Sequence, residues 1–311
     1  MTTTPLLVIA GPTGVGKTAT AVGLARRVPI EVISADSRQV YRGMDVATGK
    51  PTVHERAAVV HHLIDVVSPD DRYHAERFRR DAHAIVADVH ARGRLPVLVG
   101  GTGLYIRALL RGLDPAPPAD QEFRHELQGV AAREGLPALH ARLAREAPEL
   151  ARRLHPHDQV RVMRALEVIR AGGRPGRQQW ARRSEEYDLV YVGLTMERGA
   201  LRRRLAARAT AMVEHGLLAE VQGLLARGHD PSLPAMQGIG YREFVQVAAG
   251  TLGAGEALRR MQRDTMRYAK RQWTWFAREP EVQWMDVELG GGPEGVAALL
   301  AQRLARRRLI G

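Results

Sequence analysis

The chain has 311 residues, 45% of them hydrophobic, which is enough to bury a full α/β core and to carry one smaller domain. It contains no cysteine, which excludes disulfides and thiolate metal sites, and no apolar run reaches the roughly 18 residues of a membrane span. The net charge of +12 rests almost wholly on arginine, since Lys17, Lys50 and Lys270 are the only lysines. Such an excess suits a polyanionic partner, but it is spread evenly along the chain and does not locate a site.

Met1-Thr-Thr-Thr-Pro5 runs straight into the apolar segment Leu6–Ala10, which reads as a first strand. No signal peptide is expected, and a soluble cytoplasmic protein is the default. The strand is followed at once by Gly11-Pro-Thr-Gly-Val-Gly-Lys-Thr18, a complete phosphate-binding loop in the context that it requires, between a strand and a helix. Gly11, Gly14 and Gly16 let the backbone turn its N–H groups inward, Lys17 can bridge phosphate oxygens, and the Thr18 hydroxyl can hold Mg²⁺ beside them. A ligand with at least two linked phosphates is expected.

A second strand is predicted over Ile30–Ile33, and Ser34-Ala-Asp-Ser-Arg-Gln-Val-Tyr41 follows it. In an open parallel sheet this places Asp36 at a strand's carboxyl end, facing the same crevice as the loop. An Asp in such a segment also serves as a turn or helix cap; beside a phosphate loop it reads as a general base. A nucleoside triphosphatase usually carries a second carboxylate that positions metal and water. Here the best match is Leu63-Ile-Asp65, while the strand Pro96–Val99 ends in Gly100-Gly-Thr-Gly-Leu-Tyr105, with a hydroxyl and no carboxylate. His61 and His62 lack any further ligand spacing and read as no zinc site.

Up to residue 112 short apolar runs alternate with amphipathic stretches, as a parallel sheet covered by helices requires. Pro115, Pro117 and Pro118 break that pattern, residues from Gln121 to about Ile169 read as helices, Gly172–Gly176 closes them, and a strand resumes at Leu189–Leu194. The organisation predicted is an α/β core, 1–115 and 186–311, with a helical insertion, 116–185. A helix with an apolar stripe at Leu201, Leu205 and Met212 carries Arg202, Arg203, Arg204 and Arg208 around it. Further on, Arg259 to Arg278 interleaves seven cations with Tyr268, Trp273, Trp275 and Phe276. Cations between aromatic faces suit RNA; the basic face reads as an RNA contact, whereas the Trp residues read equally as core.

Taken together and in order, the phosphate loop, Asp36-Ser-Arg-Gln-Val-Tyr41, Gly43–Pro51, His61–Asp65, Gly100–Tyr105, Arg161–Val168, Gln237–Tyr241 and Tyr268–Phe276 make the chain resemble the tRNA dimethylallyltransferase (isopentenyltransferase) family nearly end to end. Arg38 stands where that family more often has methionine. The resemblance implies a P-loop NTPase-like parallel sheet flanked by helices, and transfer of a dimethylallyl group from dimethylallyl diphosphate to N6 of the adenine just 3′ of the anticodon, in tRNAs reading codons that begin with U. It implies that Gly11, Thr13, Gly14, Val15, Gly16, Lys17 and Thr18 cradle the diphosphate, with Mg²⁺ on Thr18 and an arginine near the start of the 201–226 helix, Arg204 in preference to Arg208. Asp36 would take the N6 proton, with Lys17 and Thr102 as its catalytic companions, Thr102 helping to hold the adenine or its ribose-phosphate. Ser37, Arg38, Gln39, Arg124, Arg161, Arg164, Lys270 and Arg271 would meet the tRNA anticodon stem-loop, and the insertion would embrace it. The target base must leave its stack to reach a buried donor. A monomer without membrane contact is expected. Rival readings are an ATP-dependent nucleotide or small-molecule kinase, an RNA-binding ATPase, and an isopentenyltransferase acting on free AMP.

Overall fold

The structure, a computed structural model, describes residues 3–113, 117, 120–173, 175, 186–307 and 309. Its elements in chain order are β1 (Thr4–Ala10), α1 (Lys17–Ala25), β2 (Ile30–Ala35), α2 (Val53–Ala58), β3 (His61–His62), α3 (Ala75–Ala91), β4 (Leu95–Gly100) and α4 (Gly103–Arg111). There follow α5 (Gln121–Glu134), α6 (Leu136–Glu146), α7 (Pro148–Ala151) and α8 (Gln159–Arg170), then β5 (Tyr187–Thr195), α9 (Arg198–Glu214), α10 (Leu217–Ala226), α11 (Tyr241–Ala248), α12 (Ala254–Phe276), β6 (Gln283–Asp286) and α13 (Gly292–Arg306).

Among the described residues the strands form one sheet, parallel throughout, in the order β3-β2-β4-β1-β5-β6. Parallel strands covered on both faces need apolar residues on both sides of the pleat, and β1 supplies them. Leu6, Val8 and Ala10 enter the core on one face, with Phe78, Tyr105 and Phe276; Leu7 and Ile9 enter the core on the other, with Leu24, Val97 and Leu300. The register sets Ala10 opposite Gly100, and Gly100 opposite Ala35. The carboxyl ends of β1, β4 and β2 are therefore level, and the segments leaving them start side by side: Gly11, Gly101 and Asp36. That alignment positions the site.

The chain divides into two compact units, Met1–Leu110 with Ser184–Gly311, and Arg111–Arg183. The second unit has its own core, in which Phe123, Leu127, Leu139, Leu143 and Leu166 pack from α5, α6 and α8. Local signals start its helices: the Asp120 side chain accepts from the Phe123 amide, and Asp158 from the Arg161 amide. Pro115 and Pro118, at the entry read from the sequence, and Gly176, at the exit, lie outside the described residues.

Inside this unit Arg124 and Arg164, both expected to meet tRNA, are ion-paired. The Glu167 carboxylate, 1% exposed, is held by Arg124 through both of its oxygens and by Arg164 at 3.1 Å; Arg164 also donates to the Pro117 carbonyl at 2.8 Å. A carboxylate buried so deeply must be paired, and these two guanidinium groups pair it. Arg124 and Arg164 thus brace the unit through Glu167. Arg161 differs: its side chain is 67% exposed and, among the described residues, its charge meets only Asp158, at 3.5 Å.

Candidate functional site

The site begins in the phosphate loop. Gly11 has φ +141°, and a Cβ there would lie 2.5 Å from the Leu194 carbonyl oxygen of neighbouring β5, so no other residue fits. Gly16 caps α1 in the left-handed region, which leaves the first amides of α1 at the mouth of the loop, where an anion finds donors and the positive end of the helix dipole. Val15 is wholly buried and anchors the loop from behind. Lys17 Nζ donates to the carbonyls of Gly11 and Pro12 at 3.0 and 2.9 Å. Burial lowers its pKa to about 8, with Asp36 opposing the shift and Arg208 adding to it.

A cavity of about 340 Å³ opens in front of the loop, walled by Gly14, Gly16, Lys17 and Thr18 on one side and by Gln39, Lys50 and His61 on another. Arg204 and Arg208 of α9 both reach it, but unequally. Arg204 is exposed, whereas Arg208 donates to Thr13 Oγ1 at 3.3 Å and is largely buried, which works against its charge while Asp36 supports it. Arg208, rather than the preferred Arg204, is the one that touches the loop in this structure. Both line the cavity, but the turn of α9 delivers Arg208 to the loop itself.

A second cavity, of about 280 Å³, adjoins the first, and Thr13, Asp36, Thr48 and Arg208 line both. Its far wall is apolar, with Leu205, Ala209, Met212, Ile239 and Met261, and its rim carries Ser37, Arg38, Tyr268 and Arg271. Asp36 sits in the shared wall. Its Oδ1 accepts from the Arg38 amide at 2.8 Å and the Gln39 amide at 3.4 Å, so the turn-capping use weighed against catalysis is present as well. One oxygen fixes the carboxylate, and the group remains near enough to Lys17 and Arg208 to favour their charged forms.

Several of the expected site residues are held by contacts within the protein. Thr102 Oγ1 accepts from the Ser37 amide at 3.0 Å and shares a hydrogen bond with Tyr268, so it positions Asp36's neighbour. The Arg38 guanidinium donates to the Pro234 carbonyl at 2.6 Å, which ties the Asp36 turn to the segment before α11. Gln39 takes a hydrogen bond from Ser34 at 3.0 Å and donates to the Gly49 carbonyl at 3.2 Å. Lys270 and Arg271, consecutive on α12, face apart: Arg271 borders the second cavity and Lys270 an outer groove with Trp273. Trp275 is packed under Arg107, 4.3 Å from its ring, whereas Trp273 is 51% exposed.

Sequence reasoning missed Gln272. This side chain, 5% exposed, accepts from the Thr13 amide at 2.8 Å and donates to the Gly101 carbonyl at 3.0 Å, linking the loops after β1 and β4. The Thr13 amide is consequently committed to protein, and Thr13 contributes to the cavity through its hydroxyl. Tyr268, one turn earlier, meets Thr102, so one face of α12 braces the segments after β1 and β4, and Thr102 in turn holds Ser37 after β2.

A phosphate loop beside a second cavity, with a carboxylate between them, is a donor and acceptor arrangement. The sequence relatives of the chain point the same way. The model of the family described as IPP transferase matches residues 39–279, and that described as isopentenyl transferase matches residues 4–66. The chain belongs to the IPP transferase family. It is 48% identical over 297 residues to tRNA dimethylallyltransferase 2 of Geotalea uraniireducens, covering 94% of each chain, and 46% identical over 286 residues to tRNA dimethylallyltransferase of Geobacter sulfurreducens, covering 91% and 92%. Among solved structures it is similar to tRNA isopentenylpyrophosphate transferase from Bacillus halodurans, with 40% identity, a TM-score of 0.72 and 98% of each chain covered. It is also similar to a eukaryotic dimethylallyltransferase whose crystal structures capture it acting on tRNA, at 27% identity and a TM-score of 0.72, covering 91% of this chain and 74% of that one. This IPP transferase thus has the fold that the sequence implied, a parallel sheet with a P-loop flanked by helices, and it is a prenyltransferase.

Proposed function

We propose that this IPP transferase moves a dimethylallyl group from dimethylallyl diphosphate to N6 of the adenine 3′ to the anticodon in tRNA, releasing diphosphate. The observation that carries the reading is Asp36 in the wall common to the phosphate cavity and the more apolar cavity beside it. The diphosphate occupies the first, among the α1 amides, Lys17 and Arg208; the adenine enters the second, past Ser37, Arg38 and Arg271. The N6 lone pair attacks the allylic carbon, the bond from that carbon to the diphosphate oxygen breaks, and Asp36 accepts the N6 proton. Lys17 and Arg208 stabilise the charge that grows on the leaving group. A base of this kind contributes roughly 10²–10⁴-fold.

Mg²⁺ fits the donor set. The hard oxygens lining the first cavity, on Thr18, Ser34 and Asp36, suit a hard divalent cation shared with a diphosphate, and among the described residues no cluster of three or more His, Asp or Glu would hold an ion by itself. Bound with the diphosphate through Thr18, it supplies further neutralisation of the leaving group. The Arg111–Arg183 unit is the candidate grip on the anticodon stem-loop, with Arg161 as its exposed cation. The enzyme is read as a monomer, and tRNA as substrate suits the cytoplasm. No described helix is long and apolar enough to cross a membrane.

The test is incubation with tRNA and dimethylallyl diphosphate in the absence of ATP, followed by mass analysis of the nucleosides. Prenylated adenosine is expected. A requirement for ATP with stoichiometric ADP release would mean phosphoryl transfer instead, and modification of free AMP but not tRNA would move the enzyme to another substrate.

A further inference from the structure

The N-terminal half of α9 and the outer face of α12 enclose a groove of about 740 Å³ lined by five arginines. Arg198 and Arg202 come from α9; Arg259, Arg263 and Arg267 come from α12. Both rows follow an i, i+4 spacing, so each stacks like charges about 6 Å apart along its axis. Like-charge pairs at this spacing destabilise a helix, and the carboxylates nearby offset them only on α12, where Glu256 and Asp264 pair with the row. Glu197 is committed to capping α9, accepting from the Gly199 and Ala200 amides at 2.7 and 2.6 Å. Asp264 is shared among Arg242, Arg263 and Arg267, and Glu256 between Arg259 and Arg260. Arg198 and Arg202 make no hydrogen bond or ion pair with any described residue. The α9 row therefore faces, across open space, an α12 row whose two carboxylates are shared among five arginines, and the groove keeps a net positive charge.

The groove continues. Arg198, Met266 and Arg267 also line the adjoining cavity, whose further wall holds Lys270, the half-exposed Trp273 and Pro12 of the phosphate loop. A track of regularly spaced cations that ends on an exposed aromatic face beside the reaction centre matches one kind of polymer, a phosphodiester strand with a base at its end free to stack. An acidic protein partner would not supply evenly spaced charges along the whole length, nor need a flat aromatic terminus.

We propose that the α9–α12 groove holds a single-stranded segment of the tRNA, its phosphates on Arg198, Arg202, Arg259, Arg263 and Arg267 and an unstacked base on Trp273. The proposal rests on tRNA being the acceptor, and it adds a binding surface separate from both cavities of the site. The groove contributes affinity and register while chemistry stays at Asp36.

The experiment measures tRNA binding to the intact enzyme by fluorescence anisotropy across a range of salt, for the parent, for the Arg198→Gln/Arg202→Gln double variant and for Arg267→Gln, with unfolding temperatures taken alongside. Removing the cation from one phosphate of a single strand should reduce the slope of log K against log salt by about 0.7, so the double variant should flatten it by about 1.4 and the single variant by half as much. Trp273→Ala should weaken tRNA at every salt with the slope unchanged. KM for dimethylallyl diphosphate and kcat at saturating tRNA should match the parent in all of them. Folded arginine variants with the parent's slope would overturn the proposal. Because the slope is read from binding alone, it is interpretable even if the parent fails to prenylate tRNA, an outcome that would sink the proposed reaction and leave the groove standing.

Discussion

Arg204 and Arg208 lie one helical turn apart on α9, and only their rotation about its axis separates a rim cation from a cation joined to the loop. Arg208 touches Thr13 Oγ1 and is largely buried, while Arg204 stays in solvent at the mouth of the same cavity. A charge-assisted hydrogen bond to a buried anion is worth about 1.5–3 kcal/mol, and solvent screens an exposed cation to less than about 1 kcal/mol. Arg208→Ala should therefore raise the Kd for dimethylallyl diphosphate by roughly tenfold to a hundredfold, and Arg204→Ala by less than about fivefold. Titration of the two variants with the diphosphate checks the order. A larger effect at Arg204 would return that residue to the role expected of it from the sequence.

At the scale of elements, α12 separates two tasks by face. Tyr268 and Gln272, one turn apart, brace the segments that follow β1 and β4, and the opposite side carries the arginine row. Gln272→Leu removes two hydrogen bonds and leaves the Thr13 amide and the Gly101 carbonyl without their partner. Each orphaned buried group costs about 1–3 kcal/mol, so the unfolding free energy should drop by about 2–5 kcal/mol and KM for the donor should rise while tRNA affinity holds. Urea unfolding and steady-state kinetics read the two effects; an unchanged donor KM would reduce Gln272 to a packing residue. In the helical unit, Glu167→Ala should leave Arg124 and Arg164 without their shared carboxylate and destabilise that unit by about 1–3 kcal/mol, the cost of a buried pair broken from one side and discounted for arginines that solvent partly reaches. Circular dichroism during thermal unfolding should show a transition at lower temperature; an unshifted transition would mean that the braces do not hold the unit.

For the whole molecule, strands buried on both faces announce themselves as continuous apolar runs, and so β1, β2, β4 and β5 were legible in the sequence, as were the phosphate loop and Asp36 at their carboxyl ends. β3 and β6 were not. One is two residues long, and the other, Gln283-Trp-Met-Asp286, is a half-exposed edge without an apolar run. Gln272 was hidden for another reason: a glutamine in a basic helix carries no signal until the fold brings Gly101 and Thr13 to it. The same limit applied to Arg124 and Arg164, whose partner Glu167 is 43 residues from one and three from the other. What the sequence could not show was the junction of two cavities at one carboxylate, and the account stands on that junction. Single-turnover transfer by Asp36→Asn, with preformed dimethylallyl diphosphate and tRNA complexes, is the most direct measurement. Asparagine keeps the Oδ1 contacts to the Arg38 and Gln39 amides and cannot accept the N6 proton, so the transfer rate should fall by roughly 10²–10⁴-fold with both dissociation constants near those of the parent. A parental transfer rate with weakened tRNA binding would contradict the account, because Asp36 would then place the RNA and take no part in the chemistry.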